Sequence, residues 1–126
     1  MNFDSKMKVI IDSNLIIWAF KHRIDIKDQM LEILPEGFEL LILRDCLREI
    51  ERSGKVKPEV LKEYLKSWGI KVVDYESSAK GVDSKILEYA KKNRGCVATL
   101  DADLRRRARK LGLHLVYLHN NRLEFL

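Results

Sequence analysis

Met7-Lys8-Val9-Ile10-Ile11-Asp12-Ser13-Asn14 sets an apolar run of strand length directly before an acid, and a helix-like stretch follows at once. Leu15, Ile16, Ala19 and Phe20 form one stripe of that helix. The same order returns late in the chain, where Cys96-Val97-Ala98-Thr99-Leu100 leads into Asp101-Ala102-Asp103. Runs rich in Val, Ile and Leu near 7–11, 39–43, 70–73, 96–99 and 113–118 predict about five strands. Strands alternating with helices imply βαβ units, and hence an α/β protein with a mainly parallel sheet covered on both faces.

The intervening helices are marked by stripes and breakers. Ile26, Met30, Ile33 and Leu34 precede the Pro35-Glu36-Gly37 turn. Asp45 is expected to cap a helix carrying Cys46, Leu47 and Ile50. Pro58 suits a first helical turn, with Leu61, Tyr64, Leu65 and Trp68 on one face and Gly69 as the stop. Val82, Ile86, Tyr89 and Ala90 stripe the next helix, which ends near Asn93-Arg94-Gly95. Leu104, Ala108 and Leu111 are expected to face the core from the last one, closed by Gly112. No linker or internal repeat interrupts the pattern, so residues 1–126 are expected to form one domain.

In open α/β sheets, ligands bind beyond the carboxyl ends of the strands, where the strand order reverses. Asp12 ends the first strand and Asp101 follows the fourth. If those strands are neighbours, the two acids meet at one sheet edge. Carboxylates gathered there repel one another unless a divalent cation lies between them.

Composition narrows the partner. A chain of 126 residues can bury a real core. Its formal charge is +5. If Asp12, Glu49, Asp83, Asp101 and Asp103 are taken up by metal, 24 basic residues face 14 remaining acids, a balance of +10. An acidic pocket in a basic shell suits a polyanion drawn to a cation site, and nucleic acid is the obvious candidate. No apolar stretch approaches the roughly 20 residues of a membrane span. Met1 to Lys6 lacks the basic-then-apolar pattern of a secretion signal, so a cytoplasmic location is expected. Cys46 and Cys96 form no CxxC pair and read as free, buried thiols. Charged residues reach 34% against a typical ~25%, and Gln29 is the only glutamine, a composition that suits a thermophile.

Each acid has a bland alternative. Asp83 lies in a first helical turn, where the helix dipole alone favours a carboxylate, yet it shares a face with Leu87 and Ala90. Glu49 sits one residue before Ile50 and can be a solvated helix acid, with Glu51 as a rival ligand. Asp103 can cap the final helix or serve as an outer metal ligand. Asn14 can cap the first helix, or orient Asp12 or a water. Thr99 can bond a site carboxylate, or simply fill a strand position suited to β-branched residues. Taken together, the acids form an all-oxygen set that suits Mg²⁺ or Mn²⁺. Two such ions, ~3.5–4 Å apart, would activate a water and stabilise the leaving oxygen in phosphodiester hydrolysis.

These residues resemble the PIN-domain ribonucleases. Asp12-Ser13-Asn14 after an apolar strand, Glu49 after strand two, Asp83 leading a helix with Ile86 and Ala90, and Thr99-Leu100-Asp101-Ala102-Asp103-Leu104 follow that family's order. The likeness spans roughly residues 7–118. Each motif is short, and it is the four in order that carry the resemblance. It implies a three-layer α/β/α sandwich that binds Mg²⁺ or Mn²⁺ and hydrolyses RNA. Asp12, Glu49, Asp83 and Asp101 match the family's catalytic, metal-binding quartet, Asp103 a further acid, and Asn14 and Thr99 its polar supports. The surroundings of Glu49, from Cys46 to Glu51, carry few other identifying residues. The resemblance further implies a homodimer. Two roles fit it: the toxin of a toxin–antitoxin pair (VapC-like), held by an antitoxin protein, or an RNA-processing or ribosome-maturation nuclease.

Arg105, Arg106, Arg107, Arg109 and Lys110 crowd the last helix and point outward if Leu104, Ala108 and Leu111 face inward. They read as a solvated face or as an RNA-gripping surface, helped by Lys91, Lys92 and Arg94. Trp18, Phe20, Tyr64 and Trp68 fit helical stripes and read as core or interface. His22, His114 and His119 lack ligand spacing. Two other classes compete. A PIN-like module that holds RNA without cutting it would have no use for an intact acid set, which repels phosphate. Phosphoaspartyl chemistry at Asp12 lacks both a lysine after the last strand and a second aspartate at Asn14.

Overall fold

The computed structural model describes residues 6–126, so the reading of Met1 to Lys6 as lacking a signal falls almost wholly outside the described residues. Among the described residues six strands form one sheet: β1 (Met7–Ile11), β2 (Phe38–Leu43), β3 (Lys71–Val73), β4 (Cys96–Ala98), β5 (His114–His119) and β6 (Arg122–Phe125). Six helices connect them: α1 (Ser13–His22), α2 (Ile26–Ile33), α3 (Arg44–Ser53), α4 (Pro58–Ser67), α5 (Val82–Lys92) and α6 (Ala102–Lys110). The strand order is β3-β2-β1-β4-β5-β6. All pairings are parallel except β5 with β6.

Burial explains which strands lie in the middle. Val9, Ile10 and Ile11 of β1, Leu40 to Leu43 of β2 and Cys96 to Ala98 of β4 are buried without alternation. Strands covered on both faces read that way. Right-handed crossovers place α1–α4 on one face and α5 and α6 on the other, and α1 packs on α3 as α5 packs on α6. The core joins Ile10, Ile11, Leu15, Ile16, Ile42, Ile50, Ile86, Leu104 and Leu115. Each such side chain contributes about 1.5–3 kcal/mol on leaving water.

The sixth strand adds to the expected five. Asn120 and Asn121 both take positive φ, 52° and 60°, and reverse the chain so that His119 pairs with Arg122. This is the two-residue hairpin geometry that asparagine tolerates. Two helix-end expectations are corrected. Asp45 does not cap α3: Leu43 holds that position without a side-chain bond, and Asp45 lies inside the first turn, where Lys85 Nζ donates to it at 2.7 Å. Leu111 does not face the core, because α6 ends at Lys110 and Leu111 is 39% exposed. No helix among the described residues is long and apolar enough to cross a membrane.

Candidate active site

The chain runs from β1 outward to β3, then returns to β4 beside β1, so the order reverses between β1 and β4. Ile11 is in register with Ala98, and the Asp12 N–H donates to the Ala98 carbonyl at 2.9 Å. The residues following both strands therefore emerge side by side at the carboxyl edge.

Asp12 is itself the N-cap of α1, a position open to Asn14 in the sequence. Its Oδ1 accepts from the Ser13 N–H at 2.8 Å, and its Oδ2 from the Thr99 hydroxyl at 2.8 Å. Thr99 also accepts from the Asp101 N–H at 3.0 Å, so one hydroxyl ties the two acid-bearing segments together. Asn14 Oδ1 accepts from the Leu100 N–H at 3.2 Å, fastening the loop after β4 to α1. Thr99 is 1% exposed and Asp12 5%.

The other acids surround this pair. Glu49, exposed on α3, accepts from the Ser13 hydroxyl at 3.2 Å. Ligand atoms of Asp12, Glu49 and Cys46 lie within 4.8 Å of one another. Glu51 instead lines a hollow with Leu47, Pro58 and Leu61, away from Asp12. Asp83 is in the first turn of α5 but not its cap, which is Gly81. Asp101 caps α6, its Oδ1 accepting from the Asp103 and Leu104 N–H groups at 2.8 and 3.2 Å. Asp103 is therefore not that cap, and its carboxylate pairs with Arg106. Asp83 and Asp101 stand outside the tight group around Asp12; the charge of Asp83 reaches Asp12, and that of Asp101 reaches Asp83.

Electrostatics register the crowding. Burial pushes the Asp12 pKa up, bonds from Thr99 and Ser13 pull it back, and the charges of Asp83 and Glu49 push it up again. Burial and then Asp101 raise Asp83, Arg107 opposes them, and Asp103 adds to the rise. Among the described residues Asp12 makes no ion pair. Burial also pushes the Cys46 thiol well up, with help from the Asp12 and Glu49 charges, and its soft sulfur is a poor ligand for a hard cation.

The basic helix is less uniform than its sequence. Arg109 and Lys110 are exposed, Arg105 lies with its guanidinium 5.4 Å over the Tyr117 ring, and Arg106 is held by Asp103. Arg107 does not simply point outward: it is half-buried, and its Nη2 donates to Ser84 Oγ at 3.1 Å. Lys91 donates to the Leu111 carbonyl and Lys92 pairs with Glu88, while Arg94 is exposed. The sequence assigns no role to Ser13 or Ser84, since a serine carries no signal until its partner is placed.

An open sheet with acids gathered at its switch point defines a class, and comparison with known proteins places the chain within it. The fold matches that of the PIN domain endonuclease Utp24 with a TM-score of 0.78 at 22% identity, covering 94% of this chain and 90% of that one. It also matches a PilT N-terminus domain protein of Sulfolobus solfataricus P2, with a TM-score of 0.62 at 15% identity over 88% and 87% of the two chains. The class is the PIN fold. No family model matches the chain. Ribonuclease VapC4 of Methanocaldococcus jannaschii is 36% identical over 106 residues, 78% of this chain and 79% of that protein. This chain belongs to the PIN-domain ribonuclease family.

Proposed function

We propose that this nuclease hydrolyses RNA phosphodiester bonds with Mg²⁺ or Mn²⁺ held by Asp12, Glu49, Asp83 and Asp101, with Asp103 as an outer acid. One observation carries the reading: the Asp12 carboxyl is buried within reach of the charges of Asp83 and Glu49, and among the described residues it makes no ion pair. Apart from the Cys46 thiol, the candidate donors there are carboxylate oxygens, which fit a hard divalent ion. When bound, that ion supplies Lewis acidity and charge neutralisation for attack of water on phosphorus.

The chain's own residues do the rest. Thr99 and the Ser13 N–H fix both oxygens of Asp12, and Thr99 and the α6 amides fix the Asp101 segment. Ser13 steadies Glu49, and Asn14 prevents the loop after β4 from swinging away. A ligand set held this way loses little entropy on binding an ion. Arg105, Arg106, Arg107, Arg109 and Lys110 provide positive charge beside the acids for the RNA backbone.

Likeness to a VapC ribonuclease supports a toxin role with an antitoxin protein as partner, and the family resemblance of the motifs adds a homodimer as the working form. An adjacent gene for a small DNA-binding protein decides the toxin role, and light scattering decides the dimer. The chemistry is tested by incubating single-stranded RNA with the protein in Mn²⁺, Mg²⁺ or EDTA, beside Asp12→Asn. Cleavage that needs the ion and disappears in the variant is expected. Cleavage persisting in EDTA removes the mechanism.

A further inference from the structure

The five bases of α6 meet different surroundings, and only one of them turns towards α5. Arg106 is engaged by Asp103 and Arg105 covers Tyr117, while Arg109 and Lys110 stand in solvent. Arg107 reaches across the helix pair to Ser84, the residue directly after Asp83. Its partner there is a neutral hydroxyl, and among the described residues Arg107 forms no ion pair. Arg107 thus rests half-buried beside Ser84, one residue from Asp83, and its charge reaches Asp83 without forming an ion pair among the described residues.

We infer that Arg107 is a further catalytic residue of this nuclease, its guanidinium gripping a non-bridging oxygen of the phosphodiester beside Asp83 and Asp101 while Ser84 holds the fork in place. The inference rests on the ribonuclease reading above. A guanidinium has five N–H donors, so one bond to serine leaves enough for a two-pronged hold on phosphate. An arginine tied to a carboxylate would first have to break that pair, as Arg106 would. The site also needs such a group, because acids that gather a metal repel the substrate. A fixed cation at the rim offsets that repulsion and meets the charge that grows on the phosphate oxygens as the bond is broken. Asp83 already senses this cation, which opposes the rise caused by burial and by Asp101.

A purely structural role predicts something different: Arg107 would serve only as a counter-ion that keeps the acids in place. Two measurements separate these roles in the full chain. One is kcat and KM on a single-stranded RNA at saturating Mn²⁺. The other is Mn²⁺ binding to the protein alone, followed by calorimetry. In Arg107→Ala we expect kcat to fall about 100-fold, with Mn²⁺ affinity unchanged or tighter because a competing positive charge has gone. Arg107→Lys should recover part of the loss, and Ser84→Ala should lower kcat a few-fold. An unchanged kcat overturns the inference. So does a rise in KM alone, or a fall in kcat matched by an equal loss of Mn²⁺ affinity. If Arg107→Ala does not fold, Arg107→Gln carries the same comparison. A wild-type protein that cuts no RNA sinks the underlying ribonuclease reading before any variant is compared.

Discussion

Asp12 shows how a functional residue weakens the fold that holds it. Burial and the charges of Asp83 and Glu49 raise its pKa above the ordinary aspartate value of 3.8, so the ionised form is costly in the folded state. A carboxyl group whose folded pKa is raised favours folding below the unfolded pKa, and that contribution is lost as pH rises through the folded value. In EDTA the wild-type melting temperature should therefore fall relative to that of Asp12→Asn as pH is raised from about 4, while Glu39, Asp45, Asp74 and Glu88, held below their ordinary values, act in the opposite direction in both proteins; thermal melts of the two proteins across pH check the difference. Asparagine caps a helix as well as aspartate does, so the variant should melt no lower than wild type at pH 7. Its RNA cleavage should nevertheless drop at least about a hundredfold. Thr99 behaves oppositely. Thr99→Val keeps the shape but strips a donor from Asp12 and an acceptor from the Asp101 N–H. Loss of about 1–3 kcal/mol is expected in urea unfolding, together with reduced cleavage.

Elements differ in how openly their sequence declares them. β1, β2 and β4 were legible because strands buried on both faces are written as unbroken apolar runs. β6 was missed although Asn120-Asn121 is a turn signal, because Arg122-Leu123-Glu124-Phe125 buries only Leu123 fully and is short. The capping role given to Asp45 failed for a related reason: α3 begins two residues earlier than that cap requires, and whether an acid caps or pairs depends on where Lys85 arrives from α5. Among the glycines, Gly95 is the one where an added Cβ meets a neighbouring element. A Cβ there would lie 2.6 Å from the Lys8 carbonyl oxygen and 3.2 Å from Ile10 Cδ1. A backbone oxygen in β1 cannot step aside without disturbing its pairing with β4. Gly95→Ala should cost about 1–3 kcal/mol, read as a lower urea midpoint with an unchanged slope.

For the whole molecule, the acids act as a set. Mn²⁺ should raise the melting temperature of the wild-type protein in proportion to the logarithm of its concentration, since an ion that binds only the folded state stabilises it by mass action. Asp12→Asn should abolish most of that rise, and differential scanning fluorimetry with and without EDTA reads both. The tight approach of Asp12 and Glu49, and the electrostatic reach from Asp12 to Asp83 and from Asp83 to Asp101, join four segments from across the chain. What the sequence by itself determined was the α/β alternation, the central strands and the acids standing at strand ends and helix starts, because burial and helix periodicity are local patterns. Only the tertiary structure decided that Glu49 and not Glu51 approaches Asp12, that Thr99 links two acid-bearing segments, and that Arg107 alone among the α6 bases turns to Ser84. Those choices depend on which elements the crossovers bring together, and direction in space is not written in any short stretch of residues.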